Sequence, residues 1–264
     1  PGWSGVVLDA LGIPALPPLR SSGLLADRAT LNANFRDEYY ALSTAISVDD
    51  EGPPLVTSGL IDPGRCWWGE RPVRFAKQLH EAPRIDLERL DERMQRWAAR
   101  KLVPKVLVAN QTRIIEAVCD ATGDWLPGVP VTTIVPADGT DPREIAAVLT
   151  SPVASGWMWS RAAGTGLSAR SVRIRPALLA ELPWPAGDLT DAVHALDGHD
   201  LERCGDAVNA AYGLDAGTEA SADLTARPTS RLTSQLTSQL TSQLTSWWRS
   251  ELTRIVDGRS RASH

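Results

Sequence analysis

Lys101–Asp120 reads KLVPKVLVANQTRIIEAVCD, followed by PVTTIVPA at 130–137, SPVAS at 151–155, AGTGLS at 163–168, VRIRP at 172–176 and LPWP at 182–185. Lys105–Ala109 and Arg113–Asp120 have the apolar, β-branched composition of strands, and the small polar residues Asn110, Gln111 and Thr112 suit a turn between them. Val129–Val135 is a third strand. Asp141-Pro142 places an N-cap and an N1 proline at a helix start; the helix runs to about Leu149 and resumes after the Ser151-Pro152 break. Leu167–Arg175 reads as a returning strand, with Val172 and Ile174 on one face and Arg173 and Arg175 on the other. The pattern is a mixed α/β module with a mixed sheet, ending at Leu182-Pro183-Trp184-Pro185. It presents several basic side chains and almost no candidate acid, base or nucleophile.

Upstream, residues 1–23 form a Pro/Gly-rich connector. Leu24–Ser47 follows helical spacing through Leu31, Phe35, Tyr39 and Leu42. Pro53–Gly69 is a strand-and-loop stretch, and Ile85–Lys101 is an amphipathic helix stopped by Pro104. Downstream, Thr190–Tyr212 holds one or two Ala-rich helices that flank the sheet. From Gly217 the composition changes, and RLTSQLTSQLTSQLTS at 231–246 is a four-residue repeat. With about 3.6 residues per turn, each step carries Leu232, Leu236, Leu240 and Leu244 about 40° around a helix, so they make no straight seam. Thr and Ser have middling helix propensity. This tail is expected to be disordered or weakly helical. The expected divisions are 1–100, 101–216 and 217–264.

The net charge of −5 excludes a uniformly basic DNA-coating protein, yet the charge is segregated. Asp62–Arg113 carries twelve Lys/Arg against seven Asp/Glu, Arg161–Arg175 has four Arg and no acid, and Ala186–Leu224 has nine acids and one Arg. One basic face against acidic remaining faces is the pattern of a polyanion binder. The alternative is that these helices simply carry solvated charges. Ten Trp against two Phe and three Tyr suit a core or a buried interface.

In order and wording, the 101–185 stretch resembles the C-terminal target-recognition region of bacterial N6-adenine DNA methyltransferases of the type I-like and solitary kind. Phe35-Arg36-Asp37-Glu38-Tyr39-Tyr40, Pro54–Gly64, Trp68-Gly69, Arg74-Phe75 and Ala211-Tyr212-Gly213-Leu214 are similar to that region's flanks, so the resemblance covers about residues 1–214. It implies double-stranded DNA as partner, a catalytic domain in cis or in trans that binds S-adenosylmethionine, a restriction-modification or defence setting, and a missing amino-terminal half. The catalytic words are not here. Adenine methylation needs an Asn/Asp-Pro-Pro-Tyr/Phe loop that holds the flipped base, whereas the double prolines are Leu16-Pro17-Pro18-Leu19 and Gly52-Pro53-Pro54-Leu55. Gly164-Thr165-Gly166 follows a helix instead of opening one after a strand, so it fails as a cofactor loop. The chain alone is expected to hold no cofactor and to methylate nothing.

The candidate DNA contacts are Lys105, Thr112, Arg113, Gly164, Thr165, Gly166, Ser168, Arg170, Arg173 and Arg175. Glycine backbone amides and Thr/Ser hydroxyls approach phosphates, Lys holds them, and Arg also reads guanine; a solvated strand face and a turn requiring Gly dihedrals are the plainer readings. Arg71, Arg74 and Lys77 form a smaller basic group. Two other functional classes stay open: a non-catalytic specificity or scaffold subunit acting through protein contacts, and a small metal-dependent hydrolase built on Asp191, His194, His199 and Cys204. Their spacing is not that of a zinc site. Glu116 lacks the Asp/Glu-x-Lys partner of a nuclease strand. Three cysteines, an odd number, suit a reducing cytoplasm. The uncharged stretch Ile145–Ser160 is broken by Pro152 and too short to span a bilayer.

Overall fold

A computed structural model describes residues 8–33, 36–47, 51–162, 171–214 and 228–262. The fold is mixed α/β. Its centre is a four-stranded sheet of β1 (Ala29–Ala33), β2 (Lys105–Ala109), β3 (Ala117–Asp120) and β4 (Val131–Pro136), ordered β3-β2-β4-β1. Every neighbouring pair is antiparallel, with Lys105 opposite Asp120, Ala109 opposite Val131 and Ala33 opposite Thr132. All five residues of β2 are buried. Alternation sends Val106 and Val108 into one core and Leu107 and Ala109 into another. A strand covered on both faces reads as an unbroken apolar run, which is why KVLVA carries no polar alternation.

The first core lies under the helices α3 (Pro142–Leu149), α4 (Pro152–Ala162), α6 (Thr190–Asp197) and α7 (Leu201–Ala211). Asp141 caps α3 by accepting the Arg143 amide at 2.8 Å, with Pro142 in the first turn. The Ser155 hydroxyl on α4 accepts the Ile115 amide at 3.1 Å and so holds the segment between β2 and β3 against the helix. A Cβ on Gly205 of α7 would lie 2.9 Å from Pro152 Cδ, so this position needs glycine for the helices to approach. The second core packs Val56, Leu60, Ile61 and Val73 on the opposite sheet face. A third gathers Leu42 of α1 (Arg36–Thr44), Leu55, Phe75, Ile85 and Met94 and Trp97 of α2 (Glu92–Lys101).

Several expectations need correction. Leu24–Ser47 is not one helix: Ser21–Leu24 pairs with Pro183–Pro185, Leu25–Asp27 is a 3-10 turn, β1 is an outer strand of the main sheet, and 36–44 is the α-helical part among the described residues. Leu31 lies in β1 and Tyr39 and Leu42 lie in a helix, so their spacing mimicked one helical face across two elements. β1 also joins the chain before residue 100 to the sheet that follows it. Arg113–Asp120 is a strand only from Ala117; Ile114 and Ile115 are apolar because they are buried outside the ladder. Of the returning strand expected at Leu167–Arg175, Val172–Arg173 pairs with Gln111–Thr112, outside the main sheet, and residues 167–170 lie outside the described residues.

The described part of the repeat-bearing tail is helical throughout: α8 spans Pro228–Ala262, while residues 217–227 lie outside the described residues. Leu232 and Leu236 are 66% and 60% exposed, Leu240 is half-buried, and Leu244 is fully buried. Three steps of about 40° carry the leucine stripe from solvent into contact. Trp247 and Trp248 then continue into the main core, with Thr245 Oγ1 accepting from Asn209 Nδ2 at 3.1 Å. Packing of one face stabilises a helix whose own residues favour it only weakly.

Candidate nucleic-acid interface

At the end of β2 the chain turns through Asn110, whose side-chain oxygen accepts from Thr132 Oγ1 at 2.7 Å and whose carbonyl accepts the Ile174 amide at 2.8 Å. These bonds align Gln111 with Arg173 and Thr112 with Val172. Val172 and Ile174 are each 2% exposed, so alternation turns Arg173 and Arg175 outward, and both are exposed beside exposed Gln111. Arg175 occupies the N-cap position of α5 (Pro176–Ala180) without a capping side-chain bond. Among the described residues, neither arginine meets a carboxylate. Arg161, at the end of α4, is also exposed, with its guanidinium 5.5 Å from the Trp157 ring centre.

The other sequence-derived candidates separate from this pair. Lys105 is corrected from a DNA contact to a structural residue: its side chain is fully buried and its ammonium is bound to Asp120. It also donates to the Val103 carbonyl at 3.2 Å. Asp120 further accepts the amides of Gly123, Asp124 and Trp125 at 3.0–3.1 Å, so this pair closes the loop after β3. Burial pulls the Lys105 ammonium below its ordinary pKa, opposed by the hydrogen bond it donates to Asp120. Thr112 is buried, and its hydroxyl has no hydrogen-bond partner among the described residues. Arg113 is held by Glu251 of α8, whose other oxygen accepts from Arg254 Nη1 at 2.6 Å. Gly164, Thr165, Gly166, Ser168 and Arg170 lie outside the described residues.

The smaller basic group also divides. Arg71 binds Asp62 at 3.1 Å, and Arg65 and Arg71 lie 3.6 and 4.7 Å from the centre of the Trp67 ring. Glu116, 6% exposed beside this group, has its pKa pushed up to about 8 by burial, with Arg71 pulling the other way. Arg74 and Lys77 instead remain exposed on the hairpin formed by Val73–Phe75 and Gln78–His80. That hairpin turns through Ala76 and Lys77 at φ 49° and 66°. Two consecutive left-handed residues normally call for Asn-Gly, and each non-glycine residue there costs about 1–2 kcal/mol. The sequence reading missed the groove beside this turn, because Tyr39, Ser58 and Pro130 reach it from separate segments.

The hydrolase group is not assembled. His194 and His199 are exposed, while Cys204 is buried, with burial raising its pKa to about 11. Among the described residues, no three His, Cys, Asp or Glu side chains gather as a metal site, and no helix is long and apolar enough to cross a membrane. Neither the protein-family models nor the curated proteins include a match to the chain.

Proposed function

We propose that this chain is the DNA-reading portion of a site-specific adenine-N6 DNA methyltransferase, with S-adenosylmethionine binding and methyl transfer supplied by a catalytic domain in cis or in trans. The observation that carries this reading is a pair of exposed arginines flanking buried Ile174: Arg173, on the strand with buried Val172, and Arg175, at the N-cap of α5. The pair belongs to an acid-free, four-arginine stretch inside an otherwise acidic chain. Exposed guanidinium groups that meet no carboxylate among the described residues suit phosphate contact and bidentate base reading. The sequence resemblance to target-recognition regions supports the same reading and supplies the reaction class. The three free cysteines fit a reducing cytoplasm.

The test is DNA binding by the full chain over a range of salt, with a parallel assay for methyl transfer from labelled S-adenosylmethionine. Salt-dependent duplex binding without methylation is expected. Methylation by this chain alone, or no duplex binding at low salt, overturns the reading. The exposed Leu232 and Leu236 favour a second role as a scaffold contact. Concentration-dependent association lost in Leu232→Ser/Leu236→Ser would support it.

A further inference from the structure

The groove beside the Ala76-Lys77 turn has a volume of about 530 Å³, within the range of roughly 300–1,000 Å³ of small-molecule sites. Tyr39, Val73, Phe75 and Pro130 supply its apolar lining, and Tyr39 meets Phe75 edge-on with ring centres 5.0 Å apart. Tyr39 is half-buried, so its ring presents part of its surface to the groove, where a planar group can pack. Ser58 adds a hydroxyl, and Arg74 and Lys77 add two exposed cations. Among the described residues, no Asp or Glu lines the groove and no acid pairs with either cation. The turn that carries Lys77 is held left-handed without glycine, the kind of backbone strain found at ligand sites.

We infer that this groove binds one nucleotide, its base against the Tyr39–Phe75 lining and its phosphate at Arg74 and Lys77. Inorganic phosphate alone would leave the aromatic lining unused, and an uncharged ring would leave the two cations unused. The nucleotide has two possible sources, a free mononucleotide or an unpaired nucleotide of a DNA strand. Topology favours the strand: Val129-Pro130 leads directly into β4, whose Val131 pairs with Ala109, one residue before the Asn110 turn that aligns Arg173. Groove and arginine pair thus share one end of the sheet. The strand source rests on the DNA reading above; the nucleotide site itself does not.

The experiment titrates the full chain with adenosine 5′-monophosphate, with a perfect duplex, and with the same duplex carrying one unpaired adenine. The variants are Arg74→Ala/Lys77→Ala, Ala76→Asn/Lys77→Gly and Arg173→Ala/Arg175→Ala. The second variant supplies the favoured turn residues, so lost binding there is not lost folding. The unpaired adenine should tighten binding by about fivefold or more, the low end of stacking one base on an aromatic. Both groove variants should abolish that preference, while Arg173→Ala/Arg175→Ala weakens both duplexes equally. Groove-dependent binding of the mononucleotide without a preference for the unpaired adenine would keep the site and assign it the free ligand. Groove variants that change neither would overturn the site, even where the arginine pair still governs duplex binding. Mononucleotide binding lost in the groove variants, with no duplex binding at all, would keep the site and reject the DNA reading.

Discussion

Lys105 and Arg173 are both basic strand residues, yet they occupy opposite environments. Lys105 opens β2 where layers cover both faces of the sheet, and its charge is neutralised by Asp120 directly across the ladder. Arg173 lies beyond the other end of β2, where Gln111–Thr112 offers only a two-residue partner and one face stays open. Strand alternation is the same rule in both places. What differs is whether a second layer covers the face, and that decides whether a cation stabilises the fold or faces solvent.

The largest expected effect tests the buried end. Asp120→Ala leaves the Lys105 ammonium buried and unpaired and should cost about 3–5 kcal/mol in denaturant unfolding; a near-unchanged midpoint would show that Lys105 reaches solvent. A similar contrast divides α8. Trp248→Ala should cost about 3–5 kcal/mol, as for large core truncations, whereas Leu232→Ala should stay within about 0.5 kcal/mol. Equal effects would mean that the repeat packs along its whole length.

An intermediate effect concerns Glu116. Its folded pKa of about 8 lies above the ordinary 4.5, so the folded state retains a proton that the unfolded chain releases. Its contribution to stability is therefore greatest below pH 4.5, falls as pH rises to about 8, and is flat above that. Glu116→Gln should flatten this slope; an unchanged pH profile would mean that Glu116 ionises like a solvated carboxylate. The smallest stability effect belongs to the open end. Arg173→Ala and Arg175→Ala should each shift stability by less than about 0.5 kcal/mol. Each lost phosphate contact should reduce the salt slope of DNA binding by about one unit, whereas a lost base contact should cost about 1–3 kcal/mol on the cognate site alone. Unchanged binding in the double variant would remove this strand from the interface.

Residues Lys105–Ala109 and the Asp141-Pro142 start of α3 were legible because composition, capping and turn chemistry act within a few residues. The alternation of Val172, Arg173, Ile174 and Arg175 was legible for the same reason. Arg113 was not: its partner Glu251 lies 138 residues away on a helix whose local propensity is weak. The groove was equally hidden, since Tyr39, Phe75 and Pro130 share no local pattern.

By itself, the sequence determined the mixed α/β class, the strand at Lys105–Ala109, the helix start at Asp141 and the outward direction of Arg173 and Arg175. Tertiary structure alone decided that Lys105 is internal, that Arg113 is held by α8, that Trp247 and Trp248 anchor the repeat helix, and that β1 completes the sheet. Dihedral preference and side-chain alternation are local properties of the chain, whereas burial and ion pairing depend on which distant segment covers each face.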